Sequence, residues 1–368
     1  MAVKKQKAKK KSKFQIVVKG IKIFFIFILL SLILLFAFNF EMALYGLQQL
    51  KGQVSVIWGA EPMEEVLKSD IITEEEKKKL VWINDIRQFA FEELGINFSE
   101  NYTTFYNQKD KPVLWAVSAC EAYQFKNYEW TFPVLGSFSY KGFFDKTKAE
   151  KEVQKLDSLN YDTDLGEVAG WSTLGFFKDP VLSSMLRRSE GSLANLIIHE
   201  LTHGTLYIKN NVNFNENLAN FIGDKGAELY LTKKYGENSE QLLKYKSRIK
   251  DEEIYTKHVL KKKEELAILY GSFPKSYTKA QKDSAKFQQI SQFVYGISQL
   301  NLQDKEGYFL RSKRALTEKN AFFMDYVRYS GNQLEFEKDL NENFNGSLKA
   351  YLVHLKAKYP KEGLQLNF

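Results

Sequence analysis

The chain carries the pentapeptide His199-Glu200-Leu201-Thr202-His203 and, a short way downstream, Asn215-Glu216-Asn217-Leu218-Ala219-Asn220. Two histidines four residues apart on a helix project from one face. Both imidazoles can then bind one Zn²⁺, with Glu200 beside the water that the metal activates. Two of the four histidines in the chain lie in this pentapeptide, which disfavours accident. Catalytic zinc usually takes three protein ligands and leaves a fourth position for water, so a third ligand must come from elsewhere. Glu216 is the best candidate. It opens a second apolar-periodic run (Leu218, Phe221, Ile222) after the polar turn Lys209 to Asn213, and two antiparallel helices joined there would return it over His199 and His203.

The chemistry these residues permit is metal-assisted hydrolysis. One Zn²⁺ per chain on His199, His203 and Glu216 would lower the pKa of its water from 15.7 to about 7, and Glu200 would act first as base and then as acid toward the leaving amine. Asn220 falls on the same helical face as Glu216 and is placed to accept the free N–H of His199 or His203. The stretch Gly166 to Gly175, with Ser172 and Thr173, reads either as an edge strand offering backbone hydrogen bonds to an extended peptide or as an ordinary core strand and turn.

The elements that must position these groups can be read coarsely. Leu193, Leu196, Ile197 and Leu201 recur at helical spacing after Ser192, a candidate N-cap, and no proline interrupts before Tyr207. Thr73-x-x-Glu76 is a capping box that opens a helix to about Leu94. Strand-like stretches follow at Pro112 to Ser118, Thr131 to Tyr140 and Gly166 to Thr173. After Ser192 the pattern is helical: Leu193 to Ile208, Asn215 to Lys234, Ser239 to Tyr270, Thr278 to Leu300, Ala315 to Tyr329 and Gln333 to Tyr359. The expected fold class is α+β and predominantly helical. A strand-containing part at about 100–190 precedes a helical part at about 191–368, which opens with the active-site helix.

The N-terminus differs in kind. Lys4 through Lys22 include nine lysines and no acid, and Ile23 to Phe38 is apolar apart from Ser31. This run is short for a membrane span and long for a buried core helix. No small-x-small cleavage site follows it, so the expectation is a basic cytoplasmic tail at 1–22, an uncleaved signal anchor at 23–40 and an extracytoplasmic body at 41–368 in the bacterial inner membrane. The formal charge is +8, and the nine tail lysines leave −1 for the rest. The basic balance therefore belongs to a tail that would meet anionic lipid, and nucleic acid is excluded as a partner. The single Cys120 permits no intrachain disulfide. The mixed-charge run Lys250 to Glu265 reads as a solvated helix face, and His354 as a lone helix histidine with no assigned role.

The string H-E-L-T-H-G-T-L-Y followed by N-E-N-L-A resembles the gluzincin side of the zinc peptidases, and more closely the bacterial putative aminopeptidase family. Three further segments carry the resemblance: Tyr45 to Gln53, Phe132 to Gly136 with Tyr140 to Asp145, and Trp171 to Phe177 with Asp179-Pro180, where Trp171 replaces the usual Tyr. It runs from about Tyr45 to at least Leu231 and more loosely through Asn320-Ala321 to the end. The resemblance implies a zinc peptidase acting on a peptide substrate, with aminopeptidase action the leading form, and the N-terminal run makes it a membrane-anchored one. Likeness to gluzincins also implies an oxyanion-steadying Tyr or His from the helical part, with Tyr326, Tyr329 and His258 as candidates. An aminopeptidase needs an acid for the substrate's α-amino group; Glu121, Asp179 and Asp224 are options that the sequence does not separate. A zinc endopeptidase, or a non-catalytic envelope protein with a structural zinc, stays open beside this reading.

Overall fold

The computed structural model describes residues 40–132, 136–168 and 178–359. The lysine tail, the apolar run Ile23 to Phe38, Ser172 and Thr173 lie outside the described residues. Among the described residues no helix is long and apolar enough to cross a membrane. The chain divides into two compact units, Met1–Ser55 and Val56–Phe368. The described part of the first is the opening of helix α1 (Phe40–Trp58), with Leu44, Leu47 and Leu50 exposed.

The second unit is a mixed α and β fold, mostly helical, with a helical C-terminal half. It begins with β1 (Glu61–Pro62), α2 (Met63–Lys68) and α3 (Glu74–Glu93), and the expected capping box is present: Thr73 Oγ1 accepts from Glu76 N–H, and the Glu76 carboxylate accepts from Thr73 N–H. Next come β2 (Thr104–Tyr106), β3 (Trp115–Glu121), β4 (Trp130–Phe132), β5 (Gly136–Phe138), β6 (Tyr140–Phe143), α4 (Lys146–Ser158), β7 (Tyr161–Glu167) and β8 (Val181–Leu182). The main sheet has the order β6-β3-β7, antiparallel throughout, with Trp115 opposite Phe143 and Glu167, and Cys120 opposite Asp162. The expected single strand Thr131 to Tyr140 is divided among β4, β5 and β6; of the strand expected over Gly166 to Thr173 only the start is among the described residues, where Gly166 and Glu167 end β7.

The helical half is α5 (Glu190–Thr205), α6 (Val212–Tyr235), α7 (Glu240–Gly271), α8 (Lys279–Gly296), α9 (Lys305–Ser312), α10 (Ala315–Glu318), α11 (Asn320–Ser330), α12 (Gln333–Phe344) and α13 (Leu348–Lys358). Three expectations need correction. The active-site helix starts three residues earlier than Ser192 suggested: Ser189 is the N-cap and accepts from Ser192 N–H. Gly191 obscures the pattern there because the approach of Tyr245, 2.5 Å from where a Cβ would sit, admits no side chain. The helix expected over Ala315 to Tyr329 breaks at Lys319, whose φ is 51°. The break lets Asn320 enter a buried network: its N–H meets Asp162, its Nδ2 reaches the carbonyls of Glu121 and Ala122, and its Oδ1 accepts from Tyr270. The helix expected over Gln333 to Tyr359 breaks at left-handed Asn345 and Gly346, whose N–H returns to Leu340 O.

Two apolar cores result. One joins α3, α5, α6, α12 and α13 through residues such as Ile83, Ile198, Phe221 and Tyr351. The other joins α7, α8 and α11 through Tyr255, Phe293, Phe322 and Phe323. The metal-motif helix belongs to the first, and α11 packs against both α6 and the main sheet.

Candidate metal centre

Why α6 doubles back onto α5 is written in Asn215. Its Oδ1 accepts from Ile208 N–H and its Nδ2 donates to Ile208 O, both at 2.8 Å, so the side chain occupies both backbone groups of the connecting turn. Gly223 then lets the two helices close. A Cβ there would sit 2.9 Å from the Asn195 carbonyl oxygen and 3.3 Å from His199 Cβ.

This packing brings the predicted donors together. His199 Nε2 and His203 Nε2 are 3.2 Å apart, and Glu216 Oε2 lies 3.5 Å from the first and 3.4 Å from the second. Two bare imidazole lone pairs at that separation repel, and a proton or a cation between them relieves this. Ligands at 2.0–2.1 Å in a tetrahedral arrangement would be separated by about 3.4 Å, so the triangle has the size that zinc requires. The donor set of two imidazoles and one carboxylate suits the same ion. His199, His203 and Glu216 are a group able to hold a metal ion.

A cavity of about 910 Å³ opens over the triangle, lined also by Glu200, Tyr140, Tyr207, Tyr329, Arg188, Asp164 and Asp325. Glu200 is buried, and burial pushes its carboxyl up to about 7; His199 and Arg188 oppose the rise, while Glu216 and Asp179 add to it. Burial also acts to raise Glu216, but His203 and His199 outweigh it and hold that carboxyl well below the usual range. The Tyr329 phenol is raised, first by the charge of Glu216 and then by burial, so it keeps its proton.

The oxyanion candidates separate by helical phase. On α11 the side chains of Asp325, Arg328 and Tyr329 line the cavity, whereas Tyr326 packs in the second core, 5.3 Å from the Phe322 ring and 5.6 Å from that of Tyr255. Tyr326 is therefore not a cavity residue. The break at Lys319 resets the helical phase, and nothing in the local sequence pattern announces that break. His258 also faces elsewhere, stacked on Phe293.

Asn220 lines the cavity, but its Nδ2 donates to Tyr329 O at 3.0 Å and it bonds neither histidine. His203 Nδ1 is buried without a partner among the described residues. Asn217, unassigned from sequence, donates to Val327 O and Arg328 O and accepts from Asn332 N–H. The asparagines around Glu216 thus fasten the end of α11, with Arg328 and Tyr329, to the metal-motif helix pair.

The three acids considered for an amino group lie outside the cavity lining. Asp179 is fully buried against Asn101, Asp224 accepts from Asn195 and Tyr245, and Glu121 pairs with Lys126. The acids that do line it with Glu216 and Glu200 are Asp164, Glu167 and Asp325. Asp164 pairs with Arg314 and Asp325 with Arg328. Burial pushes Asp325 up to about 6, with Arg328 opposing and Asp164 adding.

A mixed α and β fold that brings two histidines and a glutamate from paired helices to the floor of one cavity is a candidate metalloprotein. The chain belongs to the family described as putative aminopeptidase, which matches residues 44–359 and suggests peptidase activity. No curated protein and no solved structure matches it.

Proposed function

We propose that the protein is a zinc-dependent peptidase of the gluzincin kind, acting as an aminopeptidase and anchored in the bacterial inner membrane by its N-terminal apolar run. The observation that carries the catalytic reading is the closed triangle of His199, His203 and Glu216 with Glu200 beside it in one cavity. The residue fit favours Zn²⁺ held by these three side chains. Bound there, the metal supplies a Lewis acid that polarises a carbonyl and brings the pKa of a water from 15.7 to about 7.

The chain's own groups do the rest. Glu200, with proton affinity near neutrality, takes a proton from water and returns it to the leaving amine. Tyr329 keeps its phenolic proton and donates it in a hydrogen bond to the developing oxyanion. Arg328 lies over the rings of Tyr140 and Tyr329, at 5.7 and 5.9 Å, and is itself tied to Asp325 and Ser139, so it fixes the phenol's position. The α-ammonium of a substrate is met by Asp164 and Asp325, the acids on the cavity wall. Nine lysines before residue 23 support an N-terminus inside and a body outside.

Hydrolysis of a peptide library by the purified protein, before and after chelation and after zinc is returned, tests the reading. Loss and recovery with the metal are expected. Full activity after complete chelation would remove it.

A further inference from the structure

Three arginines line the cavity, and two of them are engaged. Arg314 bonds Asp164 and Glu318, and Arg328 bonds Asp325 and Ser139. Arg188 differs: among the described residues no hydrogen bond or ion pair reaches its guanidinium, although it is half-buried. Its position is set by the backbone bond from its N–H to Met185 O, immediately before the Ser189 cap of α5. Its nitrogens are not among the side-chain atoms buried without a partner, so the five donors keep contact with the cavity and are free to turn to an acceptor that enters it. Arg248 adds a second positive charge nearby, and both burial and Arg248 weaken its hold on its proton. The opposing charge close to it is Glu200, the group assigned to proton transfer.

The cavity therefore has two unlike regions. Beyond the triangle, on the side where Tyr329 feels Asp325 and Arg328, the wall is a paired cluster of acids and arginines. On the side of Glu200, Asn195 and Leu196 it offers one uncommitted cation. A planar guanidinium with all its donors free matches a carboxylate, which it can hold through two parallel hydrogen bonds.

Resting on the peptidase reading of this cavity, we propose that Arg188 is its carboxylate-recognition residue. The site then favours peptides that present a carboxylate next to the scissile bond, either the α-carboxylate of a short peptide or an Asp or Glu side chain. Arg188 acts here by binding substrate, not by adjusting Glu200.

The test is calorimetric binding to the full-length zinc-loaded protein of the dipeptide Ala-(N-methyl)Ala, whose peptide bond resists hydrolysis. It is compared as free acid and as amide, with Ala-(N-methyl)Asp amide as a third ligand. Hydrogen bonds to charged groups predict that the wild type binds the acid about ten- to a hundredfold more tightly than the amide. In Arg188→Gln the difference should vanish, and Arg188→Lys should restore part of it, with both variants unfolding at the wild-type temperature. Tight binding of the aspartyl amide would identify the side-chain carboxylate as the ligand, and weak binding the chain terminus. Equal affinity of the wild type for acid and both amides, or a preference that survives Arg188→Gln, overturns the proposal. An acid preference in a protein that hydrolyses no peptide would keep the Arg188 assignment and remove the peptidase reading. Hydrolysis without the preference would do the reverse.

Discussion

Gly223→Ala tests whether the approach of α5 and α6 creates the metal triangle. The added Cβ would lie 2.9 Å from the Asn195 carbonyl oxygen, 3.3 Å from Asn195 Nδ2 and 3.3 Å from His199 Cβ. The closest of these is backbone in the middle of a helix and cannot swing aside, so α6 must recede by roughly 0.5 Å to restore contact distance. Overpacking of this kind costs about 1–3 kcal/mol, and the better helix propensity of alanine returns about 1 kcal/mol. A net loss of up to about 2 kcal/mol is expected, a decrease of up to a few degrees in melting temperature for a unit of this size. Because Glu216 precedes Gly223 by seven residues on the same helix, the displacement also moves the carboxylate from the imidazoles and should weaken zinc retention. Gly271→Ala is the control: no atom lies within 4 Å of its Cβ, and it should be neutral or stabilising. Thermal unfolding and metal analysis of both variants read the result. If Gly223→Ala matched wild type in both, the close helix approach would not be what positions Glu216.

Three further outcomes follow from particular side chains. Tyr329→Phe should reduce kcat by about 10²–10³-fold, the usual effect of removing an oxyanion donor, while Tyr326→Phe should leave kcat within a few-fold and affect stability instead; steady-state kinetics of the pair decides. Lys286, buried with its Nζ on Asp162 and on Ala122 O, should cost about 3–5 kcal/mol when changed to Met, since Asp162 would stay buried with a charge, and the double variant with Asp162→Asn should recover much of this in urea unfolding. Cys120 is fully buried and burial pushes its thiol up to about 12, so maleimide should label the folded protein hardly at all at pH 7 or pH 9, and label it rapidly once it is unfolded in urea. The folded state keeps this proton where the unfolded one, with a thiol pKa of about 8.5, loses it, so stability should decline as pH rises above about 8.5.

How much of this was legible in the sequence depends on whether the signal was local. The capping box at Thr73 and Glu76, the i,i+4 histidines and the apolar stripe after them are statements about neighbouring residues, and the helices formed accordingly. Bringing His199, His203 and Glu216 together required one further step, a short polar turn, and Asn215 supplies its geometry. The identity of the wall residues was not local. It depends on the break at Lys319, which is stabilised by Asp162, Glu121 and Ala122 from more than 150 residues away, and which turns Tyr329 to the cavity and Tyr326 to the core. For the same reason the cavity acids Asp164 and Asp325 escaped the sequence pattern. Asp164 sits on β7, whose Tyr161–Asp164 stretch the sequence pattern did not mark as strand, and its role appears only when β7 meets α11. The asparagines at 217 and 220 gave a visible signal, but their partners are backbone carbonyls, which no side-chain pattern reveals.

Glu200→Gln tests the central claim most directly. The change preserves size and hydrogen-bonding capacity while removing the base, and Glu200 stands outside the triangle of His199, His203 and Glu216 that would hold the metal. Peptide hydrolysis by the purified variant, measured at verified zinc content, should fall by at least about 10²–10⁴-fold while zinc and melting temperature stay close to wild type. Unimpaired hydrolysis at full zinc would contradict the account.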